Sequence, residues 1–341
     1  MKDKNIYILG IESSCDETSC SIVKNGTDEI ATVISSQIDI HELFGGVVPE
    51  IASREHVKNI TFVLEACLKK ANMSFEQIDA IAFTQGPGLI GSLLIGLEAA
   101  KTLAYVYQKP LIPVHHIAGH IYANNLVQPL QFPLLALVVS GGHTELVKMT
   151  SHLHFEKLGG TLDDAIGECY DKVARVIGLP YPGGPKLDQL ATTGKTTYSL
   201  PRPLQDHSYN FSFSGLKSAV INLAHHEKQL HHEIRQADLA ASFQNVAISS
   251  VISKTKMALE QEHISHLIIA GGVAANQELR KQASQMCEEL HVSLSIPPML
   301  FCTDNAAMIA SAGYYLYQNG VFANYDSNSY SSMPLESISS K

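Results

Sequence analysis

The chain has 341 residues, 45% of them hydrophobic and 17% charged, with a formal net charge of −9. This length is too great for one simple core and suits two lobes, and the composition excludes a disordered or low-complexity protein. The acidic balance excludes a protein that grips nucleic acid unaided, because neutralising phosphates takes clustered Lys and Arg.

Met1-Lys2-Asp3-Lys4 leads straight into the apolar run Ile6 to Ile11, with no signal-peptide pattern, and that run is predicted as a buried strand. A polar turn, Glu12 to Thr18, is followed by a second strand, Ser19 to Val23, a turn at Asn25-Gly26, and a third strand over 29–36. Apolar residues at helical spacing (Val57, Ile60, Val63, Leu64, Cys67, Leu68) predict a helix over 54–71. A strand over 79–84 then runs into Gly86-Pro87-Gly88, a helix over 89–107 and a strand over 111–114. The pattern restarts at the buried strand 132–140, the Gly141-Gly142 turn and the returning strand 143–149, which suggests duplicated lobes. Residues 163–178 are expected to be helical, Tyr181 to Pro185 to be an irregular loop, and a helix to start near Lys186. Helices over 214–226 and 235–260, a strand over 267–270, Gly271-Gly272, a helix from about Asn276, a strand over 292–296 and a last helix over 305–318 complete the order. Strands alternating with helices make an α/β protein, whose ligands belong where strands end in glycine turns. The longest apolar stretch, Phe132 to Val139, falls far short of the ~20 residues a spanning helix needs, so no membrane association is expected. Cys15, Cys20, Cys67, Cys169, Cys287 and Cys302 form no C-x-x-C pair and read as reduced thiols of a cytoplasmic protein.

Several groups carry possible chemistry. His116 and His120 are four residues apart, so on a helix both rings face one way and can share a metal. The metalloprotease signature H-E-x-x-H is absent, because Ile117 follows His116. Ser140-Gly141-Gly142 can offer backbone N–H groups to a phosphate, or can be an ordinary hairpin turn. Asp16 and Glu17 suit acid–base work or metal contact, or a solvated acidic turn. Asn276 can cap a helix or bind substrate hydroxyls, and Asp304 can cap the last helix or join the two histidines as a metal ligand. Asp164, Glu168, Asp171 and Lys172 share one face of a helix, either solvated or contacting a purine or ribose. His225-His226 and His231-His232 read as exposed.

The order of these segments is more telling than any one of them. Gly10-Ile11-Glu12-Ser13-Ser14-Cys15-Asp16-Glu17-Thr18, Phe44-Gly45-Gly46-Val47-Val48-Pro49-Glu50, Gly86 to Leu89, His115 to His120, Val139 to Thr144, Tyr181 to Pro185, Phe211 to Lys217, Gly271 to Asn276 and Cys302 to Asn305 together resemble the TsaD family over about residues 6–318. The resemblance implies an α/β, two-lobed actin/hexokinase/Hsp70-like fold with duplicated sheet-and-helix lobes that binds a nucleotide-like ligand. We expect residues 1–112 with about 305–325 in the first lobe, 113–304 in the second, and 326–341 as a loose tail. By motif, the implied metal ligands are His116, His120 and Asp304, holding one divalent ion, Fe2+ with Zn2+ as the alternative. The implied substrate-binding positions are Val138, Val139, Ser140, Gly141, Gly142, Asp171, Gly184, Asp188 and Asn276, and the acidic positions needed for activity are Asp16 and Glu17. The implied reaction moves a threonylcarbamoyl group from threonylcarbamoyl-adenylate to N6 of the adenosine 3′ of the anticodon in tRNA, releasing AMP. The implied partners are the TsaB paralogue and the TsaE ATPase. A metallopeptidase, a non-catalytic nucleotide-binding scaffold and a sugar or acyl kinase of the same fold are the rival readings. The aromatic loop Phe211 to Phe213 receives no role.

Overall fold

The structure, a computed structural model, describes residues 4–338. Its strands are β1 (Tyr7–Glu12), β2 (Glu17–Lys24), β3 (Asp28–Ser36), β4 (Ala80–Gly86), β5 (Leu111–His115), β6 (Leu134–Val139), β7 (Thr144–Ser151), β8 (His154–Gly160), β9 (His266–Ala270) and β10 (Ser293–Ser295). Its α-helices are α1 (Ile38–Glu42), α2 (Pro49–Ala71), α3 (Ile90–Tyr107), α4 (His116–Ala123), α5 (Ile166–Val176), α6 (Gly183–Ala191), α7 (Ser214–Gln229), α8 (Gln236–Gln261), α9 (Gln277–Leu290), α10 (Met299–Cys302) and α11 (Ala306–Gln318). None of the helices among the described residues is long and apolar enough to cross a membrane.

The described chain divides into two compact units, one of residues 4–131, 150–155 and 297–338, the other of residues 132–149 and 156–296. Each is built on a five-stranded sheet, in the orders β3-β2-β1-β4-β5 and β10-β9-β6-β7-β8. Read from the other edge, the second order is the first with β6 to β10 in place of β1 to β5. In each sheet the first strand pairs antiparallel with the next and parallel with a strand reached by a helical crossover. The duplication expected from the two strand–turn–strand segments is therefore present strand by strand.

Unit 1 buries its core between the sheet and the pair α2 and α3, with Leu9, Ile11, Ile22, Ile60, Val63, Leu64, Phe83 and Leu97 in one cluster. On β1, Gly10 carries no side chain where α11 crosses, and an added Cβ would lie 2.9 Å from Ala310 N and 3.0 Å from Ala310 Cβ. Gly313 makes room in the same way, its added Cβ falling 2.7 Å from Ala82 Cβ. These small residues let α11 sit directly on the strands, and Ser19 Oγ accepts from Ala306 N at 2.9 Å to fix its start.

Two expectations need correction here. Residues 113–131, 150–155 and 297–304 pack with unit 1 rather than with the second lobe. The reason is that β5 pairs with β4 and α4 follows β5 without a linker, so this segment cannot leave the first sheet. Nor is the segment after Tyr325 loose within the described residues: Tyr330 N donates to Gln85 O at 3.0 Å, Gly88 N to Ser331 O at 3.3 Å, and Gln85 Nε2 to Asn328 O at 3.0 Å. Leu335 is buried. The last three residues of that expected tail, 339–341, lie outside the described residues.

Unit 1 also holds an aromatic stack. His152 lies 3.7 Å from Tyr315, centroid to centroid, and 5.7 Å from Tyr122, nearly parallel to both. Tyr122 Oη accepts from Leu153 N, so its own hydrogen points at His152 Nδ1, 3.1 Å away, which must present a lone pair. Burial lowers the His152 pKa from 6.5 to about 4. The unfolded chain protonates this ring near pH 6.5 and the folded chain only near 4, so unfolding takes up a proton between those values. Stability is therefore expected to fall as the pH drops from about 6.5 towards 4. Urea midpoints measured across that range should fall more steeply for wild type than for His152→Phe; parallel curves would refute the assignment.

Candidate functional site

Two groups of residues carry the predicted chemistry, one in each unit. In unit 1 the group is assembled by α4, the start of α11 and the β1–β2 turn. His115 is the N-cap of α4: its Nδ1 accepts from Ile117 N at 3.1 Å, and its Nε2 lies 2.9 Å from Met333 O. Helical spacing then brings His116 and His120 together, rings 4.6 Å apart and edge to face. Asp304 joins them, its Oδ1 3.6 Å from His116 Nε2 and 3.1 Å from His120 Nε2. The cap of α11 is not Asp304 but Asn305, whose Oδ1 accepts from Met308 N at 3.0 Å. The carboxylate of Asp304 is thereby spared from capping.

One donor atom from each of His116, His120 and Asp304 falls within 4.8 Å of the others, the spread expected around a single ion. Among the described residues, neither ring nitrogen of the fully buried His120 has a hydrogen-bond partner; the approach to Asp304 is close but not aligned for one. A buried imidazole without partners is costly unless something coordinates it. Two nitrogens and one carboxylate oxygen with open positions suit Fe(II) or a catalytic zinc. The residues present fit one divalent cation. Ile117, at the place a metallopeptidase needs its glutamate, is 2% exposed and packs in the core.

Beside this group lies a network of polar contacts. Glu12, fully buried at the end of β1, puts Oε2 3.3 Å from His116 Nδ1 and accepts from Thr84 Oγ1 at 2.6 Å and from Ser14 N at 2.5 Å. Ser14 Oγ is 3.2 Å from the same Nδ1. Burial opposes the Glu12 charge, but His116 outweighs it and holds this carboxyl below its usual range. Burial likewise opposes an imidazolium at His116, yet Asp304 and Glu12 raise its pKa to about 9. A proton and a cation therefore compete for the same electron pair, and ligation needs the ring neutral.

The β1–β2 turn carries Asp16 and Glu17. It is pinned from behind by His56 on α2, whose Nε2 lies 3.0 Å from Cys15 O while Thr18 Oγ1 lies 2.7 Å from its Nδ1. Gln37 N donates to Asp16 O at 3.1 Å. Burial, then the neighbouring Asp16 and Asp304, push the Glu17 carboxyl well above the usual carboxylate range. A side chain so placed holds its proton where most carboxyls have lost theirs.

In unit 2, Val138 and Val139 are buried in the central strand β6, paired with both β7 and β9 at Val138. They position the turn that follows. Ser140 closes that turn, its N donating to His143 O at 2.8 Å and its Oγ accepting from His143 N at 3.1 Å. Gly141 and Gly142 are exposed, and an added Cβ on either would meet nothing within 4 Å. Their lack of side chains answers to no contact inside the protein. Close by, α5 approaches so tightly that a Cβ on Gly167 would lie 2.6 Å from Ser140 O.

Asp171 on α5 accepts from Gly183 N at 2.8 Å and Gly184 N at 2.9 Å. This overturns the irregular loop expected at Tyr181 to Pro185: α6 begins at Gly183 because a carboxylate from another helix satisfies its first N–H groups. Pro185 sits in that first turn, where its missing N–H costs nothing. Asp188 on α6 accepts from Gln277 N at 3.1 Å, and Asn276 Oδ1 accepts from Leu279 N at 2.8 Å, so both cap α9. Asn276 Nδ2 donates to Gln244 Oε1 at 3.1 Å. Asp188 keeps one buried oxygen with no partner among the described residues.

The proposed acidic face of 163–178 is not one helix face, because α5 starts only at Ile166. Asp163 instead caps α7 from a distance, accepting from Phe213 N at 2.7 Å and Ser214 N at 3.2 Å. Asp164 binds Lys172 and Lys217 at 2.9 and 2.6 Å. The aromatic loop thereby gains a physical account: Phe211 and Phe213 are buried anchors that hold this cap in place.

The family described as tRNA N6-adenosine threonylcarbamoyltransferase, TsaD, matches residues 29–311. A protein of that name from Staphylococcus haemolyticus is 57% identical over 335 residues, 98% of each chain. One from Staphylococcus aureus is 56% identical over 339 residues, 99% of each. Among solved structures, HypF of T. kodakarensis superposes with a TM-score of 0.63 at 14% identity, covering 95% of this chain and 49% of its own. At that identity the likeness shows the fold alone, and it agrees with the α/β architecture of two five-stranded sheets.

Proposed function

This chain belongs to the tRNA N6-adenosine threonylcarbamoyltransferase family, and from that premise we propose how its residues carry the reaction. The enzyme is an acyltransferase that modifies N6 of an adenosine in tRNA. Its donor is threonylcarbamoyl-adenylate, and its acceptor is the adenosine 3′ of the anticodon. The amine at N6 forms a bond to the carbamoyl carbon, the bond from that carbon to the adenylate phosphate oxygen breaks, and AMP leaves. The proton lost from N6 passes to Asp16, since burial and the neighbouring carboxylates favour the uncharged form of Glu17.

His116, His120 and Asp304 hold one divalent cation, Fe2+ in this reading with Zn2+ as the alternative. The nitrogens of the buried His120, neither with a hydrogen-bond partner among the described residues and Nε2 facing Asp304 at 3.1 Å, are the observation that carries the assignment. When bound, such an ion supplies Lewis-acid polarisation of a carbonyl. The exposed turn Gly141-Gly142 receives the adenylate phosphate, whose charge grows as it departs. Asp171 keeps α6 and Gly184 in place, while Asp188, with its spare buried oxygen, and Asn276 receive ribose hydroxyls. The acidic chain takes help to hold tRNA, from the TsaB paralogue and the TsaE ATPase, in the cytoplasm.

The test is transfer in vitro with threonylcarbamoyl-adenylate, unmodified tRNA and both partner proteins. Modified adenosine in the tRNA, with AMP released in equal amount, is the expected outcome. If every partner is present and no modification forms, a non-catalytic nucleotide-binding scaffold becomes the better account.

A further inference from the structure

We propose that Glu12 is the positioning residue of this centre, fixing the tautomer and ring orientation of His116 so that Nε2 faces the ion. The inference rests on the reading of His116, His120 and Asp304 as ligands. Glu12 is a fully buried carboxylate, and a buried charge needs a purpose or a partner. Its Oε2 lies 3.3 Å from His116 Nδ1 and accepts from Thr84 Oγ1 at 2.6 Å, while Oε1 accepts from Ser14 N at 2.5 Å and fixes the carboxylate plane. An ionised carboxylate only accepts, so the hydrogen of a neutral His116 sits on Nδ1 and its lone pair on Nε2. Ser14 Oγ, 3.2 Å from Nδ1, accepts a share of that same hydrogen. The Nε2 so exposed is the atom on the Asp304 side, 3.6 Å from Oδ1. His120 has no such support, since its Nδ1 has no partner among the described residues. The two histidines are therefore unequal: the far nitrogen of His116 is oriented and the ring made more basic by a carboxylate, whereas Nδ1 of His120 has no such support.

Glu12→Gln keeps the volume of the side chain and removes its charge, and Co2+ serves as the probe ion. The metal-free variant is expected to unfold near the wild-type temperature and to bind Co2+ about 10–100-fold more weakly, with its visible absorption bands displaced. A purely structural role for Glu12 would move the unfolding temperature and leave the cobalt spectrum alone. Wild-type affinity and spectrum in Glu12→Gln would overturn the proposal. If that variant does not fold, Thr84→Val takes its place: weaker Co2+ binding supports the proposal, and wild-type binding overturns it. His116→Ala separates the two layers of the argument. If it binds Co2+ as wild type does, the ligand reading fails and this inference with it. If His116→Ala loses the cobalt spectrum while Glu12→Gln keeps it, only the role of Glu12 fails.

Discussion

Asp304→Asn is expected to weaken metal binding by more than about 100-fold and to reduce tRNA modification to a similar degree, with the fold intact. The estimate starts from outer-shell partners, whose loss costs roughly 10–100-fold in affinity; a direct ligand must count for more. The exchange keeps the shape of the side chain and removes its charge. It leaves α11 capped, because the cap is Asn305, and leaves Ala306 N on Ser19 Oγ. Asp304 is one of two carboxylates whose negative charge faces His116, so without it a remaining ion would also be held less tightly by charge. Metal content, thermal unfolding and transfer activity measured on the same preparation decide the matter. Full metal occupancy in a folded Asp304→Asn protein would remove Asp304 from the ligand set. Loss of activity with metal retained would give Asp304 a role other than ligation.

The second large effect is expected at Asp16. Asp16→Asn should lower turnover by about 10²–10⁴-fold, the range general-base catalysis contributes, while the donor still binds. The turn itself is held by its backbone, through Cys15 O on His56 and Asp16 O on Gln37, so the substitution leaves the loop in place. Glu17→Gln should cost much less, because burial and the neighbouring carboxylates already favour the uncharged form of Glu17, which an amide resembles. Donor binding by calorimetry beside single-turnover transfer separates the cases. Equal losses of binding and turnover in Asp16→Asn would count against a base at this position. A larger loss in Glu17→Gln than in Asp16→Asn would exchange their roles.

Much of this was legible in sequence because it is local. The i, i+4 spacing of His116 and His120 placed both rings on one side of a helix, and α4 has them there. The two strand–turn–strand segments announced a duplicated fold, and two sheets of the same strand order bear this out. Glu12 carries only a weak local signal, that of a charged residue closing an apolar run, and the partner it needs lies 104 residues away at His116. His56 left no such signal: it is one histidine among sixteen, and its partner Cys15 is 41 residues away. The first turn of α6 was read as a loop because two glycines and two prolines break helices locally. Asp171, 12 and 13 residues earlier, overrides that preference by accepting two N–H groups.

The sequence alone determined what depends on near neighbours: the alternating elements, the duplication, the histidine pair, the glycine turns and, through the order of its motifs, the family. The tertiary structure decided what depends on distant residues meeting. It brought Asp304 to His120 across 184 positions, made Asn305 rather than Asp304 the cap, and turned Asp163 into the cap of α7. It also packed the segment after Tyr325 against β4 and β5. The physical reason is one of range. Hydrophobic period, capping and turn chemistry act over a few residues and leave a local trace in the chain. Which carboxylate meets which imidazole is settled only when α11 closes onto its sheet, where Gly10 on β1 and Gly313 on α11 leave room for the approach.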